Sequence, residues 1–193
     1  MAQSLENYEL VETIDTSRAP TIVYIIVIGL AAFGFPALGS FLTWLRPTAP
    51  GIINWSNPRG TVLSVGLTLL FFVFTLAVHE LLHATALWNL RQDAKLGFHF
   101  GLPFGPTITI NTNNAILTAG EWRFVAVAPQ VLTAMFIAAG IMYLPLTHLF
   151  IPLAGSNLLG GAIDFITVMH VTRYPAGYLF QDTKAGIAVY RPK

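Results

Sequence analysis

The chain has 193 residues, 54% of them hydrophobic and only 10% charged, with a mean hydropathy of +0.65. A soluble domain carries about 25% charged residues, so the composition excludes an ordinary water-facing domain and implies an integral membrane protein of one domain, 1–193. A net charge of +1 leaves no electrostatic footprint for nucleic acid, and the lack of cysteine excludes disulfides and thiolate metal ligands.

Residues 1–19 are polar, with Glu6, Glu9, Glu12 and Asp15 set against Arg18. A secretory signal opens on a basic region and a short apolar core, so this stretch reads as an uncleaved tail. Leu5, Tyr8, Val11 and Ile14 recur every three residues, which suggests a short interfacial helix. The first apolar run covers 20–45, with Pro20 as its opening residue and a bend at Pro36. The second, 61–90, is longer than the ~20 residues that a bilayer core needs, so it tilts or projects beyond the lipid.

In the 91–120 loop, Phe98-His99-Phe100 and 107–112 alternate as strands do, and 111–114 read as a turn. The resulting hairpin offers an edge that an extended peptide could join by strand addition, although a surface hairpin with no partner fits the same residues. The third apolar run, 121–143, follows Thr118, whose spacing to Glu121 is that of a capping box, and Pro129 should kink it. The fourth, 148–171, is interrupted by Gly160-Gly161, and 172–193 form a second tail. A short, nearly uncharged link around Pro145 makes the last two runs an antiparallel pair. The expected fold class is all-α integral membrane: about four transmembrane helices, with a small cytoplasmic β-hairpin between the second and third.

Basic residues set the orientation. Arg18, Arg91, Lys95, Arg123, Arg173, Lys184, Arg191 and Lys193 fall on the side of the termini and the long loop, against Arg46 and Arg59 on the other. The positive-inside rule then puts both termini in the cytoplasm.

Within the second run stands AVHELLHATA (77–86). A charged group near the centre of a transmembrane helix costs roughly 2.5–3.5 kcal/mol on insertion scales, so its polar residues need a reason. His79 and His83 are four apart, on one helix face about one turn from each other, where two imidazoles can grip one metal ion with Glu80 beside them as a base. Chance would produce this His-Glu-x-x-His spacing only roughly 0.003 times in such a chain, which sets coincidence aside. Two histidines and a glutamate hydrogen-bonded across a helix bundle are the plainer alternative, but they would not need this spacing.

A zinc site with an open position for water needs a third protein ligand. Asp164 is the acidic residue inside another apolar run, nine residues before Arg173, as His83 is eight before Arg91. At ~1.5 Å per residue both lie roughly 12–14 Å from their cytoplasmic ends, so their depths match. A helix–helix hydrogen bond is the competing role for Asp164. Asn157, seven residues before Asp164, shares its face on a regular helix and is a candidate for holding a substrate backbone or an oxyanion; Gly160-Gly161 between them could break that alignment, and a polar contact lining the bundle is the alternative.

At these residues the chain resembles the intramembrane metalloproteases of the site-2 protease type and, more closely, a small family of membrane zincin peptidases related to them. The segments that carry the likeness are His79-Glu80-Leu81-Leu82-His83, the stretch from Leu117 to Phe124 leading to Val127-Ala-Pro129, Ser156-Asn157 ahead of Asp164, and Tyr174-Pro175 with Asp182. One departure is that site-2 proteases carry an Asn, then a Pro, then Asp-Gly, whereas here Asn157 precedes Gly160 and Asp164 is followed by Phe165. The resemblance implies zinc (Zn2+) on His79, His83 and Asp164, Glu80 as catalytic base, and a location in a prokaryotic cell membrane.

The function expected is zinc-dependent hydrolysis of peptide bonds in membrane-associated proteins, with a protein or peptide substrate and the lipid bilayer as partners. A non-catalytic membrane protein with a structural or sensory metal site is the alternative. His99 and His170 are the spare histidines that could close such a site with a fourth ligand. Metal transport would need polar groups spread along a path, whereas these cluster at one depth.

Overall fold

The computed structural model describes residues 5–15, 25–26, 29, 34, 37, 41, 58–101, 105–111, 115–143, 147–183 and 186–193. The expected span 20–45 falls almost wholly outside them, as do residues 112–114 of the expected turn. In chain order the elements are β1 (Tyr8–Ile14), α1 (Pro58–Asn89), β2 (Lys95–Gly101), β3 (Gly105–Asn111), β4 (Ile116–Thr118), α2 (Ala119–Val127), α3 (Gln130–Met142), α4 (Thr147–Gly160), α5 (Ala162–Val171), β5 (Leu179–Thr183) and β6 (Gly186–Pro192). Among the described residues, Leu70–Asn89 and Ala119–Met142 are long and apolar enough to cross a membrane. A third such span exists if Leu149–Gly160 and Asp164–Val171, broken at the glycine pair, count as one.

α1 carries the motif. Two of its hydroxyls are turned back on the helix: Thr75 Oγ1 donates to Phe71 O and Thr85 Oγ1 to Leu81 O, both at 2.8 Å. The helix ends in a Schellman closure, with Arg91 N–H donating to Trp88 O at 2.9 Å and Gln92 N–H to Leu87 O at 3.0 Å. Arg91 takes the left-handed conformation, φ 58°, that this closure requires and that glycine usually supplies.

The described chain divides into two compact units, and the boundary passes along α1 between His79 and Glu80. One unit holds Met1–Val23, Glu80–Pro129 and Gly161–Lys193. Its centre is a four-stranded antiparallel sheet in the order β1-β6-β5-β4. Buried Ile14, Val171, Phe180, Ile187 and Val189 form the core, with Ala119, Trp122, Tyr174 and Tyr178 against it. Gly186, φ 121°, is required where β6 meets β1, because a Cβ there would stand 2.1 Å from Ile14 O. α2 packs on α5 and starts from a complete capping box: Glu121 N–H donates to Thr118 Oγ1 at 3.3 Å and Thr118 N–H to Glu121 Oε2 at 2.8 Å.

This sheet corrects the all-α expectation and the helix expected near residues 5–14. The first tail is strand β1, paired with β6 from Tyr8↔Pro192 to Ile14↔Ile187, with a register shift between Leu10 and Glu12. That bulge inserts one extra residue, breaks the period-two alternation of a strand and leaves the every-third-residue spacing that resembled a helix. The expected hairpin is present separately as the two-stranded sheet β2-β3, paired from Lys95↔Asn111 to Gly101↔Gly105. Asn111, expected to open a turn, is the last residue of β3, and the rest of that expected turn lies outside the described residues.

The other unit holds Tyr24–His79 and Gln130–Gly160. α3 packs on α4 through buried Ile151 and Ala154, with Phe136, Ile137 and Leu158 around them and the rings of Phe136 and Phe150 stacked at 6.2 Å. Gly140 permits this approach, since a Cβ there would stand 2.9 Å from Ile151 Cδ1.

Candidate metal centre

One helical turn of α1 presents His79, Glu80 and His83. His79 is 3% exposed. Its Nδ1 stands 3.0 Å from Asn157 Oδ1. An amide oxygen can only accept, so Nδ1 carries the proton and donates, and the neutral ring then carries its lone pair on Nε2. Asn157, 0% exposed on α4, is oriented in turn: its Nδ2 donates to Thr133 Oγ1 at 2.9 Å, and Thr133 Oγ1 donates to Gln130 Oε1 at 3.1 Å. That chain of side chains fixes which end of the amide faces the imidazole.

His83 is held differently. Its Nδ1 donates to the backbone carbonyl of Val125, on α2, at 2.8 Å. That leaves Nε2 as the nitrogen facing Asp164 Oδ2, near the start of α5, at 3.2 Å, a separation at which Nε2 either donates a proton to the carboxylate or shares a cation with it. The side chains of His83 and Asp164 keep 12% and 21% of their surface exposed, while the Asp164 Oδ2 atom itself is buried.

His79, His83 and Asp164 each offer one ligand atom, and the three atoms lie within 4.8 Å of one another. Ligand atoms around a tetrahedral zinc, at about 2.0–2.2 Å from the metal, are separated by roughly 3.4 Å. The 3.2 Å between His83 Nε2 and Asp164 Oδ2 already has that length. The donor set fits a divalent zinc ion: two neutral imidazoles with Nδ1 committed to second partners, as metal-binding histidines require, and one carboxylate.

The expected site residues are thus distributed as follows. His79, His83 and Asp164 come together, and Glu80 stands half-buried between the two histidines in sequence. Asn157, expected to face a substrate, is fully buried and engaged with His79 and Thr133. His170 donates from Nδ1 to Ile166 O on its own helix at 2.9 Å and is not part of the three-residue group. The side chain of His99 lies outside the described ones.

Sequence reasoning passed over Gln130 and Thr133 although a signal was present, since they are the polar side chains in the otherwise apolar stretch 124–142. It could not name Val125, whose contribution is a backbone oxygen.

A family model described as "Putative zincin peptidase" matches residues 72–179, more than half of the chain and a segment that contains all three ligand candidates. No curated protein and no solved structure matches the chain. On that match, the chain belongs to the putative zincin peptidase family.

Proposed function

We propose that this protein is a zinc-dependent peptidase embedded in a membrane, acting on peptide bonds of membrane-associated proteins, with the site toward the cytoplasmic face. The observation that carries the reading is the convergence of His79, His83 and Asp164 within 4.8 Å, with both imidazoles donating from Nδ1. Embedding is supported by the outer surface: Leu70, Phe71, Phe72, Val73 and Phe74 are consecutive and all exposed, a patch that water would disfavour and lipid would cover.

Zinc held there would supply Lewis acidity, making water acidic enough to lose a proton near neutral pH and polarising a peptide carbonyl. The chain's own residues do the rest. Glu80, on the same helical turn as both histidines, takes the proton from the attacking water and returns it to the leaving amine. A carboxylate within an apolar helix is costly in lipid without a compensating cation, which ties the role of Glu80 to that of the histidines. Asn157 orients His79 through its amide oxygen, so we assign it to holding the ligand in place of the substrate. Three ligand candidates among the described residues would leave a tetrahedral ion one position for water, which favours a catalytic centre over a structural one closed by a fourth protein ligand.

Glu80→Gln tests the proposal. The variant should retain zinc, measured on the purified protein, while cleavage of a membrane-tethered peptide library falls by about 10²–10⁴-fold. A Glu80→Gln protein that cleaves as fast as wild type removes Glu80 from the chemistry. Wild-type protein without stoichiometric zinc removes the metal.

A further inference from the structure

The carbonyl that holds His83 is available because of a proline. In an α-helix the carbonyl of residue i accepts the N–H of residue i+4. Four residues beyond Val125 stands Pro129, which has no N–H to give. The neighbouring position is normal, with Ala128 N–H donating to Phe124 O at 3.1 Å. α2 ends at Val127, leaving the Val125 oxygen without the helical donor due to it, and His83 Nδ1 occupies that oxygen at 2.8 Å. Pro129 is itself fully buried. In those surroundings water is a poor substitute donor, and a carbonyl deprived of its helical N–H calls for a side-chain one.

We propose that Pro129 is a positioning residue of the metal centre: by withholding an N–H it reserves the Val125 carbonyl for His83 Nδ1 and thereby fixes the tautomer that turns Nε2 toward Asp164. The break after Val127 follows from the same residue, but the break is not what orders the imidazole. With any other residue at 129, the backbone N–H competes for the Val125 oxygen. His83 then loses the partner that selects its tautomer and rotamer. This inference rests on the proposed metal site for its functional meaning and on the Val125–His83 hydrogen bond for its geometry.

The test separates the missing N–H from the ring. Pro129→Ala restores the N–H, while an alanine-like α-hydroxy acid placed at position 129 puts an ester oxygen where that N–H would be and has no ring. Two quantities are measured on the full chain in detergent micelles: the imidazole ¹⁵N and Nδ1–H shifts of His83 in zinc-free protein, which report whether Nδ1 is protonated and bonded to the Val125 carbonyl, and zinc affinity by chelator competition.

In Pro129→Ala, His83 should lose its preference for protonated Nδ1, and zinc affinity should fall by about tenfold, the lower end of what losing an outer partner of a ligand costs. The ester protein should match wild type in tautomer and bind zinc within about twofold of it. An ester protein as impaired as Pro129→Ala would show that the ring itself matters and would overturn the proposal. So would a Pro129→Ala protein whose His83 shifts are unchanged. If wild type takes up no zinc, the metal-site reading fails by itself, and the zinc-free ¹⁵N shifts still decide whether Pro129 assigns the carbonyl.

Discussion

The two histidines of the motif are held by unlike means, and the difference shows how a site can be built on one helix with supports of different kinds. His79 leans on a relay of side chains, Asn157, Thr133 and Gln130, all within one compact unit. His83 leans on a main-chain oxygen, Val125 O, within the other. A side-chain support can be deleted by one substitution. A main-chain support survives every substitution of its own residue and yields only when another donor claims the oxygen.

The contrast is sharpest in the first expected outcome. Asn157→Leu removes the acceptor for His79 Nδ1 without leaving a polar group behind, and should weaken zinc binding by about 10–100-fold. Val125→Ala keeps the carbonyl and should leave zinc affinity within about threefold of wild type. Equilibrium competition with a chelator measures both. An Asn157→Leu protein with wild-type affinity would place Asn157 back among candidate substrate contacts, where a raised KM with unchanged zinc content would be its signature.

Thr133→Val comes next and should act more weakly. It removes the hydroxyl that Asn157 Nδ2 donates to, so the amide loses its reason to keep Oδ1 toward His79. One neutral hydrogen bond is worth about 1 kcal/mol, so zinc affinity should drop by roughly fivefold, with a larger loss in Asn157→Leu. Equal losses in the two variants would mean that the relay acts as a single unit.

These supports also explain what the sequence made legible. The residues that converge were readable because charge and imidazole are conspicuous in an apolar run, and because His79 and His83 fall on one helical face whatever else the chain does. Asp164 was readable by depth. The breaks at Pro129 and at Gly160-Gly161 follow from residue types that interrupt helices anywhere.

What lay beyond reach were pairings between distant segments. β1 joins β6 across almost the whole chain, and nothing local in Tyr8–Ile14 announces the partner; a bulge even disguises the strand. The face shared by Asn157 and Asp164 was out of reach for a related reason: their spacing puts them together only on one regular helix, and α4 and α5 are separate helices that break at the glycines. Asn157 is therefore paired with α1 and α3, in the same unit as His79.

A smaller effect should come from the start of α2, the helix that presents Val125. Thr118→Ala abolishes the capping box with Glu121 and should cost about 1 kcal/mol of stability. The Val125 carbonyl lies beyond the first turn, so the ¹⁵N shifts of His83 should not move. Denaturation in mild detergent and the same NMR measurement separate the two readings. A shifted His83 would mean that the main-chain support depends on the whole helix rather than on its last turn.

The smallest effect lies in the sheet, away from both supports. Burial, followed by the Glu12 carboxylate that accepts its hydrogen bond at 2.6 Å, pushes the Tyr174 phenol up to about 12. The unfolded chain releases the same proton near about 10. The folded state thus binds that proton more tightly, so its contribution to stability is fully present below pH ~10 and is lost as the pH rises through about 12. Phenolate absorbance should show one tyrosine titrating late, and Tyr174→Phe should remove that component and flatten the alkaline loss of stability. Because Glu12 lies on β1 and Tyr174 follows α5, this bond fastens the first strand to the chain just after the helix that carries Asp164. If breaking it at high pH also releases zinc, the main-chain-supported side of the centre depends on the sheet for its rigidity. If zinc is retained, the helices α1, α2 and α5 hold that side without the sheet.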